Sequence, residues 1–422
     1  MLNYLVAIAF ILTIASAQQA HDHAAVQRQE RELANKWGPA WSFAGLTTFA
    51  HLPYTQCLNN LRQRYDIAIV GAPFDTATTY RSGEFAFRIL LRLSSMQLLL
   101  RHCIIGARFG PRAIRQASMR QTAYRGFNAR AALNPYRSWA RVLDCGDIPV
   151  TPLDNQVALR QLSEAYVELG SRLSAFNAGR AKDEVDEEYV RYPKLVTLGG
   201  DHSVALPALR ALFEIYQRPI AVVHFDAHLD TWPGIKEEDN SYWFSDQSNH
   251  NHASVFWNAA REGLLANGSC IHAGLRTRLT GTSFQDYEND VQQGFMQIEV
   301  DDIDRWGVEG IAERILTRVG TTVPVYLSID VDVLDVAFAP GTGTPEAGGW
   351  STRELIRILR GIDGLNVIGA DVVEVAPAYD GVGEPTAIAA AQIVYEVVTS
   401  MVKRGLEVAD SSKVKLISKD EL

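Results

Sequence analysis

The sequence predicts an α/β protein, a three-layer αβα sandwich around a mainly parallel sheet. Apolar runs of strand length recur along the chain as continuous stretches, the pattern of strands covered on both faces. Segments with the period of helices lie between them, so strand and helix alternate as in doubly wound folds. Three of the runs end in aspartate and histidine, at the strand ends where open α/β sheets bind their ligands.

The 422 residues are 47% hydrophobic and 21% charged, which suits a large core and excludes a disordered chain. With a net charge of −9 and no strongly basic window, neither a nucleic acid nor an anionic membrane surface is an expected partner. The four cysteines, Cys57, Cys103, Cys145 and Cys270, have no CxxC spacing; no thiolate zinc site is expected and their redox state is left open.

Taken in order, residues 5–15 (LVAIAFILTIA) with Ala15-Ser16-Ala17 read as a secretory signal peptide over residues 1–17. Residues 18–60 form an N-terminal arm, polar over 18–45, whose His21-Asp22-His23 is read as solvated. The catalytic domain is expected over 61–405. Its strands are placed at 66–71, 194–199, 219–224, 324–331 and 366–373, and its helices at 155–176, 308–319, 352–361 and 385–403. The acidic stretch 182–188 fits a solvated face. The tail, 406–422, ends in Lys419-Asp420-Glu421-Leu422, the address for retrieval to the endoplasmic reticulum. Entry and retrieval signals on one chain predict the lumen of the endoplasmic reticulum, with no stable membrane insertion after signal cleavage. Asn267-Gly268-Ser269 is a candidate glycosylation acceptor there.

The polar clusters predict a binuclear metal site. Asp226, His228 and Asp230 stand at i, i+2 and i+4, so a strand's two-residue period projects all three to one side. Asp330 and Asp332 repeat the spacing and would repel each other in a dry site unless a cation lay between them. After the glycine pair 199–200 the chain can turn sharply and present His202. Four carboxylates and two imidazoles suit two divalent ions. An oxygen-rich set with imidazoles and no thiolate favours manganese, over iron, cobalt or zinc, and two such ions make hydroxide from water at neutral pH.

GGDHS (199–203), FDAHLD (225–230) and SIDVDVLD (328–335) resemble the three signatures of the ureohydrolase family, the arginases and agmatinases. GAPFDTATTYRSG (71–83), APGTGTPEAGGW (339–350) and VEVAPAYD (373–380) are similar to the agmatinase branch. The resemblance implies an arginase-like fold and two Mn2+ per chain, one held by His202, Asp226, Asp230 and Asp330, the other by Asp226, His228, Asp330 and Asp332. It also implies catalytic roles for Asp230, for His252 as proton shuttle and for Glu374 as the carboxylate that orients a guanidinium. A small guanidino substrate and a homo-oligomer, trimer or hexamer, follow from it. Urea release from agmatine, giving putrescine, is the expected reaction. The alternatives are 4-guanidinobutyrate or another guanidino acid as substrate, or, if residues 84–106 are native, a metal-binding protein without turnover.

Residues 84–106 depart from the family pattern. They set 23 largely apolar residues between YRSG (80–83) and ARFGPRAIR (107–115), which run together in family members. Gly83-Glu84-Phe85 and Ile105-Gly106 can be encoded by splice-like sequences in frame, so the segment is expected to be a translated intron and not native; the alternative is a genuine lid or interface helix.

Overall fold

A computed structural model describes residues 25–33, 35–36, 43–80, 106–177, 191–234 and 245–420, with the side chains of the last helix described to residue 408. The signal peptide, the 84–106 segment except Gly106, the acidic stretch 182–188 and the retrieval signal's side chains lie outside the described residues. The chain divides into two units, residues 1–46 and 47–422. Within the first, residues 25–33 are helical.

The larger unit is built on one eight-stranded sheet: β1 Ile67–Ala72, β2 Val142–Asp147, β3 Lys194–Gly199, β4 Ala221–Phe225, β5 Cys270–Leu275, β6 Phe295–Glu299, β7 Pro324–Asp330 and β8 Asn366–Val373. Its order is β2-β1-β3-β8-β7-β4-β5-β6 and every neighbouring pair is parallel. The five strands read from continuous apolar runs are β1, β3, β4, β7 and β8. Three more, β2, β5 and β6, carry polar residues that break the run. Two of these are buried and compensated by partners distant in sequence, Asp144 by Arg115 at 2.8 Å and His272 by Asp290 at 3.0 Å.

The helices are α1 Gly110–Ala117, α2 Asn155–Gly170, α3 Ala205–Tyr216, α4 Val255–Arg261, α5 Gln285–Gln292, α6 Asp302–Val319, α7 Thr352–Gly361 and α8 Pro385–Asp420. Successive strand residues point to opposite faces, and β1 feeds one core with Ile67 and Ile69 and the other with Ala68 and Val70. The first core is closed by α1, α6, α7 and α8 through residues such as Ile114, Ile311, Ile358 and Val397. The second is closed by α2, α3 and α4 through Leu162, Leu209 and Phe256. In α8, Pro385–Val408 is long and apolar enough to cross a membrane, but 72% of its most apolar window is buried inside the protein, where it covers the sheet.

Local signals start the helices. Asp154 accepts the amide of Val157 at the head of α2, and Ser351 and Glu354 form a reciprocal capping box on α7. The edge strand β2 is covered by residues 47–60: Phe49 donates its amide to Asp144, Tyr54 bridges to the same residue, and Cys57 and Cys145 form a disulfide with Cα atoms 5.0 Å apart.

Candidate active site

The C-terminal ends of four adjacent strands, β3, β8, β7 and β4, deliver the polar clusters to one place. β3 ends at Gly199-Gly200, where a side chain on Gly200 would run into the carbonyl oxygen of Phe74, so only glycine lets the backbone pass. Asp201 then caps the short turn that follows, accepting the amides of Ser203 and Ala77 at 3.0 Å each, and this fixes His202 at the head of α3. β4 ends at Phe225, so Asp226, His228 and Asp230 lie in the bend beyond it and not on the strand that their spacing suggested; the bend brings Asp226 and His228 together, and the backbone turns at Asp230 with a positive φ of 53°. At the end of β7, Asp330 accepts the amide of Asp332 at 2.8 Å.

The structure brings all six proposed ligands together. His202 Nδ1 lies 3.2 Å from Asp226, 3.0 Å from Asp230 and 3.5 Å from Asp330. His228 Nδ1 lies 3.1 Å from Asp226 and 3.0 Å from Asp332. Asp226 therefore stands between the two imidazoles. Among the described residues, two groups offer converging ligand atoms: His202, His224, Asp226 and Asp230 in one, Asp226, His228 and Asp332 in the other. Asp330 adjoins the first group through His202 without joining it.

Electrostatics shows what this set can hold. Burial opposes a charge on His202, yet Asp226, Asp230 and Asp330 outweigh it and hold its pKa well above the ordinary value. Burial likewise opposes a charge on His228, and Asp332 and Asp226 raise it regardless. Asp332 is pushed up to about 6 by burial and by Asp226, and Asp330 is raised by burial, Asp332 and Asp226. The Nδ1 atom of His202 is buried and makes no hydrogen bond. Crowded carboxylates and an imidazole nitrogen aimed among them are both satisfied by divalent cations, so the donor set fits such ions.

Behind this cluster, His202 Nε2 meets Ser328 Oγ at 2.8 Å, and Ser328 donates to Asp371 at 2.8 Å. Such an outer contact orients an imidazole ligand. Beside the cluster, Glu374, also at positive φ (61°), accepts the backbone amide of His202 with Oε1 at 2.9 Å, while its Oε2 is buried without a hydrogen-bond partner. His252 Nδ1 lies 3.5 Å from Glu374 Oε1. Its Nε2 receives the amide of Thr79 at 3.2 Å and lies 2.8 Å from the Thr79 hydroxyl. Burial lowers the His252 pKa and Glu374 more than restores it, to about 9. At the rim, Glu346 reaches within 3.9 Å of His228 Nε2, and the guanidinium of Arg276 is turned onto the carbonyls of Asp332, Leu334 and Glu346.

Sequence reasoning missed His224, Ser328, Asp371, Thr79 and Glu346. Two of these had a signal: His224 and Ser328 precede Asp226 and Asp330 by two residues, on the same period that singled out the ligands. Thr79 and Glu346 lie within two segments similar to the agmatinase branch, 71–83 and 339–350, without having been singled out there, and Asp371 is brought in only by the fold.

Comparison with known proteins places the chain among relatives. The family model described as "Arginase family" matches residues 102–399. The chain is 45% identical to "Putative agmatinase 1" of Schizosaccharomyces pombe over 361 residues, which cover 86% of this chain and 83% of that protein. It is 33% identical to guanidinopropionase of Pseudomonas aeruginosa over 84% of this chain and 91% of that one. Among solved structures, proclavaminate amidino hydrolase from Streptomyces clavuligerus superimposes with a TM-score of 0.67 at 30% identity, covering 86% of this chain and all (100%) of that one.

Proposed function

From the premise that the chain belongs to the arginase family, in its agmatinase branch, and is an amidinohydrolase, we propose that it hydrolyses agmatine to urea and putrescine with two manganese ions. The observation that carries this reading is the buried, unpartnered Oε2 of Glu374 beside the ligand cluster. A carboxylate oxygen so placed matches a planar cation with forked N–H donors.

Bound divalent ions supply a nucleophile by lowering the pKa of water, and the residues to hold them are His202, Asp226, His228, Asp230, Asp330 and Asp332. Glu374 orients the guanidinium so that its carbon faces that cluster. As water adds to this carbon, Asp230 holds the released proton and passes it to the amine nitrogen when the C–N bond breaks, leaving urea and a primary amine. His252 exchanges protons with solvent. Thr79 supports that role because it offers Nε2 both a donor, its amide, and an acceptor, its hydroxyl, so the ring keeps a partner in either protonation state.

The far end of the substrate favours agmatine. Glu346 presents a carboxylate at the rim, while Arg276 is engaged with backbone carbonyls, an arrangement suited to an ammonium tail. Measuring urea release with manganese across agmatine, 4-guanidinobutyrate and arginine tests this. Agmatine should show the highest kcat/KM. A preference for 4-guanidinobutyrate would overturn the substrate while leaving the reaction class standing.

We extend the proposal to location, the lumen of the endoplasmic reticulum. The two terminal signals support it, as does the Cys57–Cys145 disulfide, a bond that persists in oxidising compartments. Asn267 lies in an exposed turn and is open to glycosylation there. Deleting residues 419–422 should send the protein into the medium, and cytosolic recovery of the full chain with Met1 attached would refute the proposal.

A further inference from the structure

A file of buried polar side chains runs from the ligand cluster across the sheet and out to a helix. His224 Nε2 meets Asp226 Oδ2 at 3.0 Å, and its Nδ1 meets His272 Nδ1 at 2.7 Å. His272 Nε2 in turn meets Asp290 Oδ1 at 3.0 Å. His224 and His272 are register partners on the parallel strands β4 and β5, and Asp290 is on α5. None of the three is exposed at all, at 0% each. The rings are wedged in place: His272 stacks on Phe295 with centroids 4.0 Å apart, and Phe256 packs against His224 at 4.6 Å.

Asp290 is itself anchored. Gln297 donates to its Oδ2 at 2.8 Å and Thr231 to its Oδ1 at 2.7 Å. Burial pushes the Asp290 carboxyl up, but His272, Gln297 and Thr231 more than offset that and hold it below the ordinary range. Thr231 directly follows Asp230, the residue with positive φ, so one carboxylate on α5 reaches two proposed ligands by separate routes. One route passes through two imidazoles to Asp226. The other passes through a hydroxyl to the turn that presents Asp230.

Nothing in the proposed chemistry needs His272 or Asp290 to touch substrate, and burying two rings and a carboxylate is tolerable only because each is hydrogen-bonded to the next. A hydrogen-bonded side chain behind a ligating carboxylate fixes its orientation and tunes its affinity for metal. We propose that Asp290, His272 and His224 form a positioning array that sets the carboxylate of Asp226 and, through Thr231, the turn carrying Asp230, for binding divalent ions. The inference rests on the reading that Asp226 and Asp230 hold such ions, and its test does not depend on turnover.

The test is calorimetric titration of the full chain with Mn2+ alone, for wild type, His272→Phe, Asp290→Ala, Asp290→Asn and Thr231→Val. Phenylalanine retains the stacking on Phe295 and removes both hydrogen bonds. His272→Phe and Asp290→Ala should weaken Mn2+ binding roughly 10–100-fold. Asp290→Asn keeps an acceptor oxygen for His272 and should recover most of that loss, a rescue that a purely structural role would not produce. Thr231→Val, a near-isosteric change that serves even if the larger ones fail to fold, should weaken one ion and spare the other. Wild-type Mn2+ affinity at both sites in folded His272→Phe or Thr231→Val protein would overturn the array. If wild-type protein itself bound no Mn2+, the ligand reading would fail instead.

Discussion

Two of the eight proposed site residues, Asp230 and Glu374, sit in the left-handed region of backbone space, which side chains other than glycine occupy at a cost of about 1–3 kcal/mol. Glu374 directly follows β8, Asp230 lies in the bend after β4, and both aim a carboxylate at the cluster, so the strain is part of their positioning. Replacing Glu374 by Gln should remove a charged hydrogen bond of about 1.5–3 kcal/mol, a roughly 10–100-fold fall in kcat/KM. Manganese content by elemental analysis should stay unchanged. Asp226→Asn should differ, losing urea release and at least one bound ion together, because Asp226 lies between both imidazoles. The His252 pairing predicts a pH dependence. Its folded-state pKa of about 9 lies above the ordinary 6.5, so the stabilisation is complete below the lower value and is lost as pH rises through the upper one. The gap in denaturant midpoint between wild type and His252→Asn should be widest near pH ~6 and close towards ~10; a gap that widened with pH would contradict the pairing.

At the scale of elements, the sequence made legible what is local. Continuous apolarity marked β1, β3, β4, β7 and β8, and the two-residue period marked Asp226, His228, Asp230, Asp330 and Asp332, because both signals lie within one segment. β2, β5 and β6 escaped because their buried Asp144 and His272 and half-buried Gln297 look like loop residues until Arg115 and Asp290 arrive from elsewhere in the chain. The disulfide was hidden for the same reason, its cysteines being 88 residues apart. Capping is the opposite case, a purely local device. Ser351→Ala breaks the box that opens α7 and should cost about 1 kcal/mol in urea denaturation, with urea release from substrate unaffected.

For the molecule as a whole, ligand binding and folding are linked, since the proposed ion ligands come from three strands that are far apart in sequence. Ions that bind only when β3, β4 and β7 are assembled stabilise the native state, so chelation should lower the melting temperature and manganese should restore it. An unchanged melting temperature would disconnect the cluster from the fold. The sheet order carries a separate consequence for biosynthesis. β8, the last strand to leave the ribosome, inserts at the centre between β3 and β7. Until residue 373 has been made, the nascent chain can hold only two part-sheets, β2-β1-β3 and β7-β4-β5-β6, each with a raw edge where the other belongs. Glu374 follows directly behind, so the carboxylate proposed to orient the guanidinium is the last of the proposed site residues to be translated. A premature stop before β8 therefore leaves no smaller enzyme, only two sticky halves for a chaperone or a protease to find.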